Sequence, residues 1–203
     1  MDYQQSLVAE KLRHWEGFLR NYRLPHWEEI PDLGLYMDQV VMLLTQYLDY
    51  LPPEIKEERV ITASTVNNYV RMKIMPAPVK KKYYRSHIAY LIMICTLKQS
   101  LPIAAVQKLI PRDLSPEALQ RSYRAYQHRH KLSAEYFIRQ VELAAAPLLG
   151  EEADGDAAAS TADLIAAAAI TGGFARLLAE KLLELEGSTP AESEPGEAPQ
   201  GTA

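Results

Sequence analysis

Apolar residues recur three and four positions apart along most of this chain, and that period predicts helices rather than strands. Val8, Leu12, Trp15, Leu19 and Tyr22 mark a first helix over 4–22, which Pro25 ends. The segment LPHWEEIPDLG, Leu24 to Gly34, is a connector with two prolines, and its Trp27 reads as a plug for the core. Met37, Val40, Val41, Leu44, Leu48 and Leu51 form one broad apolar face over 35–51. Asp38 suits the start of that helix, and Pro52-Pro53 stops it. A charged loop then leads to Ile61. Ser64 is the expected N-cap of a short helix reaching Lys73, with Val66, Val70 and Ile74 facing inward. Pro76 and Pro78 forbid its continuation. The β-prone stretch Val79 to Tyr84 reads as a small hairpin or an extended arm.

Further on, Ile88, Leu91, Ile92 and Cys95 fall on one face of a helix over 85–99. Ser100 is the expected cap of another short helix to Ile110, with Ile103, Val106, Leu109 and Ile110 inside. Ser115-Pro116-Glu117 combines a cap, a proline and an acid in the first turn. The helix it opens is expected to reach Lys131, with a restart at Ser133 and an end near Ala146. Past Leu149 the run GEEADGDAAAS reads as a linker. Thr161 to Glu186 reads as a helix weakened by Gly172-Gly173, with Phe174, Leu177, Leu178, Leu182 and Leu185 on one apolar face. The tail after it is disordered by composition. The expected organisation is an N-terminal helix over 1–23, a principal domain over 24–130, a helical extension over 131–149, and an Ala-rich acidic appendage over 150–203 with its one helix at 161–186.

Composition narrows the classes. In 203 residues, 48% are hydrophobic and 24% charged, as in a water-soluble globular chain. The opening residues lack the apolar core of a signal peptide, and no apolar run is expected to span a membrane; the longest uncharged stretch in the C-terminal half, Leu164 to Ala175, is short and alanine-rich. The single cysteine suits a reducing compartment, and a cytoplasmic location is expected.

Charge changes the picture more. The net charge is −4, yet residues 59–112 hold 10 basic side chains and no acidic one. Residues 1–58 carry 5 basic and 11 acidic side chains, and residues 151–203 carry 2 and 11. Such a partition concerns partners rather than fold.

Catalytic signals are poor. There is no glycine-rich phosphate loop. His128 and His130 sit two apart on a helix and so face different directions, a weak metal pair. Cys95 lies in an apolar helix and reads as an inert buried thiol. Glu28 and Glu29 read as solvating the connector rather than as an acid–base pair. No enzyme activity, cofactor or metal is expected.

The basic segment is different. A short helix carrying Ser64, Thr65, Asn67, Asn68 and Arg71 can meet base edges and phosphates in a major groove. Thr62 stands at its start, and Lys73 at its end adds a further cation. Lys80, Lys81, Lys82 and Arg85 are the expected phosphate clamps, with Tyr83 or Tyr84 beside them. Tyr69 is either a DNA-facing hydroxyl or a core aromatic. Arg121, Arg124, Arg129 and Lys131 either extend this surface or solvate their helix. The expected partner is double-stranded DNA. A homodimer through the helix from Pro116 or the helix ending at Glu186 is a further expectation, as is a contact of the acidic tail with the basic segment or with a protein partner. The alternative is a protein–protein adaptor that does not bind DNA.

Thr65, Tyr69, Ile74, Met75 and Pro76 resemble the end of the recognition helix in MerR-type regulators, and Tyr84 is similar to the tyrosine that closes their wing. Over about 24–130, the runs LPHWEEIPDLGLYMDQVVMLLTQYL and ITASTVNNYVRMKIMPAPVKKKYYRSHIAYLIMICTLKQSLPI resemble a bacterial family, mostly from Firmicutes, called domain of unknown function 1836. The resemblance implies an all-α, MerR-like winged helix-turn-helix with a short β wing and extra flanking helices, and a role in transcription regulation.

Overall fold

The computed structural model describes residues 4–49, 61–149 and 161–186. These are helical, in the order α1 (Gln5–Asn21), a single 3-10 turn (Trp27–Glu29), α2 (Met37–Tyr47), α3 (Ala63–Arg71), α4 (Arg85–Leu97), α5 (Ile103–Leu109), α6 (Pro116–Leu149) and α7 (Thr161–Glu184). No strand occurs among the described residues; two isolated antiparallel bridges join Leu35 to Tyr83 and Val79 to Lys82. The all-α expectation is met. The linker, the loop after α2 and the acidic tail lie largely outside the described residues.

The centre of the molecule is α4. Every residue from His87 to Cys95 is buried, so this helix is apolar on all sides rather than on the one face that its period suggested. Val40, Leu44 and Leu48 of α2, Val66 and Tyr69 of α3, Val106 of α5, and Leu119 and Tyr123 of α6 join it in one core. Leu24, Trp27 and Ile30 of the connector complete that core, so Trp27 is the plug that the sequence suggested. Its ring lies 5.9 Å from that of Tyr123.

Helix starts are secured by a recurring device. Glu29 accepts from the backbone N–H of His26 (2.7 Å), Gln39 from that of Tyr36 (2.9 Å), and Nδ1 of His87 from that of Tyr84 (3.0 Å). In each, the side chain three residues into the element reaches back to the donor before it. The pair to Arg23 and the His26 hydrogen bond hold the Glu29 carboxyl down at about 2. Among the described residues His87 is the one buried polar or charged side chain, and its Nε2 meets the Ala77 carbonyl at 3.1 Å. With Nδ1 accepting, Nε2 carries the proton and donates it.

Several boundaries differ from the sequence reading. The cap of α3 is Thr62, whose Oγ1 accepts from the Thr65 N–H at 3.2 Å; Ser64 lies inside the first turn. Pro102, not Ser100, precedes α5, and no side chain caps it. Leu35 does not start α2; its N–H and carbonyl are exchanged with those of Tyr83 at 2.8 Å. Helix α6 runs unbroken through Ser133, because α1 lies along it and gives its distal half a surface to bury. Ile138 and Ala145 are buried there, and Trp15 packs edge-on to Phe137 at 5.6 Å. Helix α7 continues through Gly172-Gly173. It also holds an 18-residue window of mean hydropathy 1.5, long and apolar enough to cross a membrane. The expectation of no such run is not met: the alanines, leucines and isoleucines around Asp163 and Arg176 keep this helix apolar despite those two charges.

Two outcomes follow from this core. Tyr123 is fully buried, and its hydroxyl donates to the Pro25 carbonyl at 2.9 Å. Tyr123→Phe leaves that carbonyl without its donor and is expected to lower unfolding stability by about 1–2 kcal/mol in urea titrations. Arg124→Ala at the very next position removes only an exposed pair with Glu28 and should leave the urea midpoint nearly unchanged. Burial pushes the Cys95 thiol up to about 12. A thiol-reactive disulfide should therefore leave the folded protein unmodified at pH 8 and label it fully in denaturant.

Candidate nucleic-acid interface

The face of α3 turned away from the core carries Ser64, Asn67 and Arg71, all exposed. Val66 and Tyr69 on the inner face fix its rotation, and the half-buried Val70 packs beside them. An open concavity of about 840 Å³ lies against this helix, lined by Thr62, Ser64, Thr65, Asn67, Asn68, Tyr69, Arg71 and Lys98. The Asn68 Oδ1 accepts from the Arg71 guanidinium at 2.7 Å, which orients that fork. Lys98 was not foreseen. It belongs to the same acid-free segment, but only the packing of α4 beneath α3 brings its residue, 27 positions after Arg71, to this groove.

The segment after α3 turns sharply. The Ile74 N–H bonds the Tyr69 carbonyl (3.1 Å) and the Lys73 N–H bonds that of Val70 (3.0 Å). This is the pairing of a Schellman cap, with Lys73 at φ 56° where glycine is usual. Ile74 and Met75 then enter the core. At the tip, Val79 and Lys82 exchange both backbone hydrogen bonds at 3.0 Å around Lys80 (φ 49°) and Lys81 (φ 62°). Two consecutive left-handed residues between paired ends make a two-residue hairpin turn, a place usually filled by Asn-Gly. Three lysines thus occupy backbone that costs a side-chain-bearing residue about 1 kcal/mol each relative to glycine.

Other expected contact residues are committed elsewhere. Tyr69 and Tyr83 are core residues, each 3% exposed, so neither ring is available to DNA. Burial raises both phenols, Tyr69 to about 12. Thr62 and Thr65 bond each other at 2.8 Å in capping α3. Arg85 donates to the Ile30 carbonyl (2.8 Å), approaches Asp32 (3.6 Å) and lies over the Trp27 ring (5.8 Å), so it fastens the connector instead of reaching outward. The Lys82 ammonium sits 5.3 Å over the Tyr36 ring. Its stem covers Gly34, where an added Cβ would lie 2.7 Å from the Lys82 Cδ and 3.2 Å from the Tyr84 ring. Tyr84 is half-buried there. Lys73, Lys80 and Lys81 remain exposed. Of the α6 cations, Arg124 pairs with Glu28 and Lys131 with Glu135, while Arg121 and Arg129 are exposed.

Among the described residues no group of three or more His, Cys, Asp or Glu side chains is placed to hold a metal ion. His128 is exposed, whereas His130 is half-buried edge-on to Tyr22, and burial lowers its pKa.

No curated protein and no solved structure matches the chain. The family model described as Domain of unknown function (DUF1836) matches residues 25–128, just over half of the sequence. That match runs from the connector to the middle of α6 and so takes in α2, α3, the lysine turn and all of α4: the chain belongs to the DUF1836 family.

Proposed function

We propose that this protein is a cytoplasmic, sequence-specific DNA-binding regulator of bacterial transcription, built as a reduced winged helix-turn-helix. In this reading α2 and α3 form the helix pair, α3 enters the major groove, and the Val79–Lys82 turn is a minimal wing. Asn67 is suited to bidentate bonding with adenine and Arg71, oriented by Asn68, to guanine O6 and N7. Lys73, Lys80, Lys81 and Lys98 serve as phosphate contacts, which position the helix without reading sequence. The protein acts as a homodimer on paired half-sites.

The observation that carries the reading is the left-handed backbone at Lys73, Lys80 and Lys81. A turn needed only for shape or solubility is better served by glycine or asparagine. Lysine kept at three such positions, in a segment with no carboxylate, is a local cost offset by something the ammonium groups do. A polyanion accounts for the sign, the number and the exposure together.

The adaptor reading retains one point in its favour. Lys82 and Arg85, two of the expected clamps, are engaged within the fold. An acidic protein groove could use the remaining cations instead.

Stability and binding should move in opposite directions. Lys73→Gly, Lys80→Asn and Lys81→Gly are each expected to raise unfolding stability by up to about 1 kcal/mol. Each should also weaken DNA binding and shrink the salt dependence of log K by about one phosphate contact. Variants that gain stability with an unaltered salt slope would remove these lysines from the interface. Asn67→Ala and Arg71→Ala should each cost about 1–3 kcal/mol on a selected site while leaving random-sequence DNA nearly unaffected. Failure of the purified protein to enrich any genomic fragment at low salt would leave the adaptor reading standing.

A further inference from the structure

Both ends of the lysine turn are tied to one side chain. His87, buried in the first turn of α4, accepts the Tyr84 N–H at Nδ1 (3.0 Å) and donates from Nε2 to the Ala77 carbonyl (3.1 Å). Ala77 stands just before the turn and Tyr84 just after it. The ring therefore closes the base of the loop 77–84, which carries Lys80, Lys81 and Lys82. Pro76 and Pro78 flank Ala77 and have no N–H, so that side of the loop has few backbone donors with which to anchor itself. The other side has a second hold in the Leu35–Tyr83 exchange. The Tyr83 ring meets the imidazole edge-on at 5.6 Å, and the Tyr84 ring lies at 6.3 Å.

The choice of histidine has a chemical consequence. At the other two reach-back sites the acceptor is the Glu29 carboxylate, held at about 2, or the Gln39 amide, and neither changes between pH 8 and 5. Histidine is the side chain whose charge changes in that range. With Nε2 already protonated, a second proton must go to Nδ1. It would face the Tyr84 N–H, donor against donor, in a buried site.

The surroundings offer that charge no counter-ion. The neighbouring elements bring to this end of α4 the cations Lys80, Lys81 and Lys82 of the turn, Lys73 at the end of α3 and Arg85 of α4 itself. The acids are Asp32 on the connector and Asp38 in the first turn of α2, both exposed. Asp32 approaches Arg85 at 3.6 Å. The other titratable groups are the phenols of Tyr36, Tyr83 and Tyr84. Both ring nitrogens of His87 have backbone partners, and neither meets a carboxylate. A charged ring is therefore accommodated by releasing the Tyr84 and Ala77 contacts, which frees the base of the loop.

We infer that His87 is a proton-sensitive clasp: neutral, it closes the base of the lysine turn and holds Lys80 and Lys81 in place; protonated, it lets the turn go. Because the open form binds the extra proton, falling pH draws the equilibrium toward it. The consequence for binding rests on the DNA-binding reading, whereas the clasp itself is tested without DNA.

In the full chain at about pH 7.5, nitrogen NMR of the His87 ring should place its proton on Nε2 and none on Nδ1. Between about pH 7.5 and 5.5 the Tyr84 amide should lose protection from hydrogen exchange about tenfold, in step with the charging of that ring. Both measurements use the unsubstituted chain and decide the matter even if a variant is unstable. His87→Gln supplies an acceptor of the kind that Gln39 offers Tyr36, so its Tyr84 amide should stay equally protected at both pH values. On random-sequence DNA the unsubstituted chain should lose about threefold more affinity over this range than His87→Gln, since the other four histidines are common to both. A proton on Nδ1 at pH 7.5, a Tyr84 amide indifferent to the charge on the ring, or equal pH dependence in His87→Gln would each overturn the proposal. A working clasp in a chain that binds no DNA would uphold the clasp and remove the DNA reading instead.

Discussion

The complete burial of α4 is the constraint on which the rest of the structure depends. A helix with nine consecutive buried residues has no solvent face, so other elements must enclose it on every side. α2, α3, α5 and the first part of α6 each contribute an apolar stripe, and none of them is long enough to be stable by itself except α6. The orientation of α3 follows. Val66 and Tyr69 must point at α4, and a helical period then sends Ser64, Asn67 and Arg71 outward. The proposed reading surface is thus set by what its back side buries.

The same enclosure explains why half of the charged positions near the turn do not face solvent freely. The connector from Leu24 to Gly34 has to be held against α4, and it has few backbone partners of its own. Arg85 supplies one by donating to the Ile30 carbonyl, and the Leu35–Tyr83 exchange supplies two more. Lys82 lays its stem across Gly34 for a similar reason. The segment divides into side chains that fasten the connector and side chains left to act outward.

Helical period, proline stops and the charge partition made the larger part of this legible. All seven described helices could be placed from apolar spacing and breakers alone, α6 in two pieces, and the acid-free segment contains α3. The misses have physical causes. Ser64 and Ser100 are good caps by residue type, but capping depends on backbone geometry, and Thr62 had that geometry at α3. The restart expected at Ser133 ignored α1, whose packing overrides a weak local signal. Tyr69 and Tyr83 carry a polar atom and an apolar ring, so sequence could not say which would decide. Left-handed lysines leave no trace in composition, since the residue type argues against the conformation it adopts. Lys98 required tertiary structure, because no sequence interval links it to Arg71.

Helix starts offer an independent view of the missing carboxylates. An acid in the first turn stabilises a helix by about 0.3–1 kcal/mol through the macrodipole. α2, α6 and α7 each have one, in Asp38, Glu117 and Asp163. α3, α4 and α5, the three helices inside the acid-free segment, have none, although α1 outside it also lacks one. At α4 the reach-back role that Glu29 and Gln39 perform elsewhere falls to His87, a neutral ring in the tautomer its two hydrogen bonds require. At α3 a threonine pair does the work. The starts of α3 and α4 are therefore satisfied by side chains that add no negative charge, while α5 has no side-chain cap at all. A surface that merely tolerated lysines would have no reason to forgo glutamate at these positions, whereas one that must keep a positive potential beside α3 would.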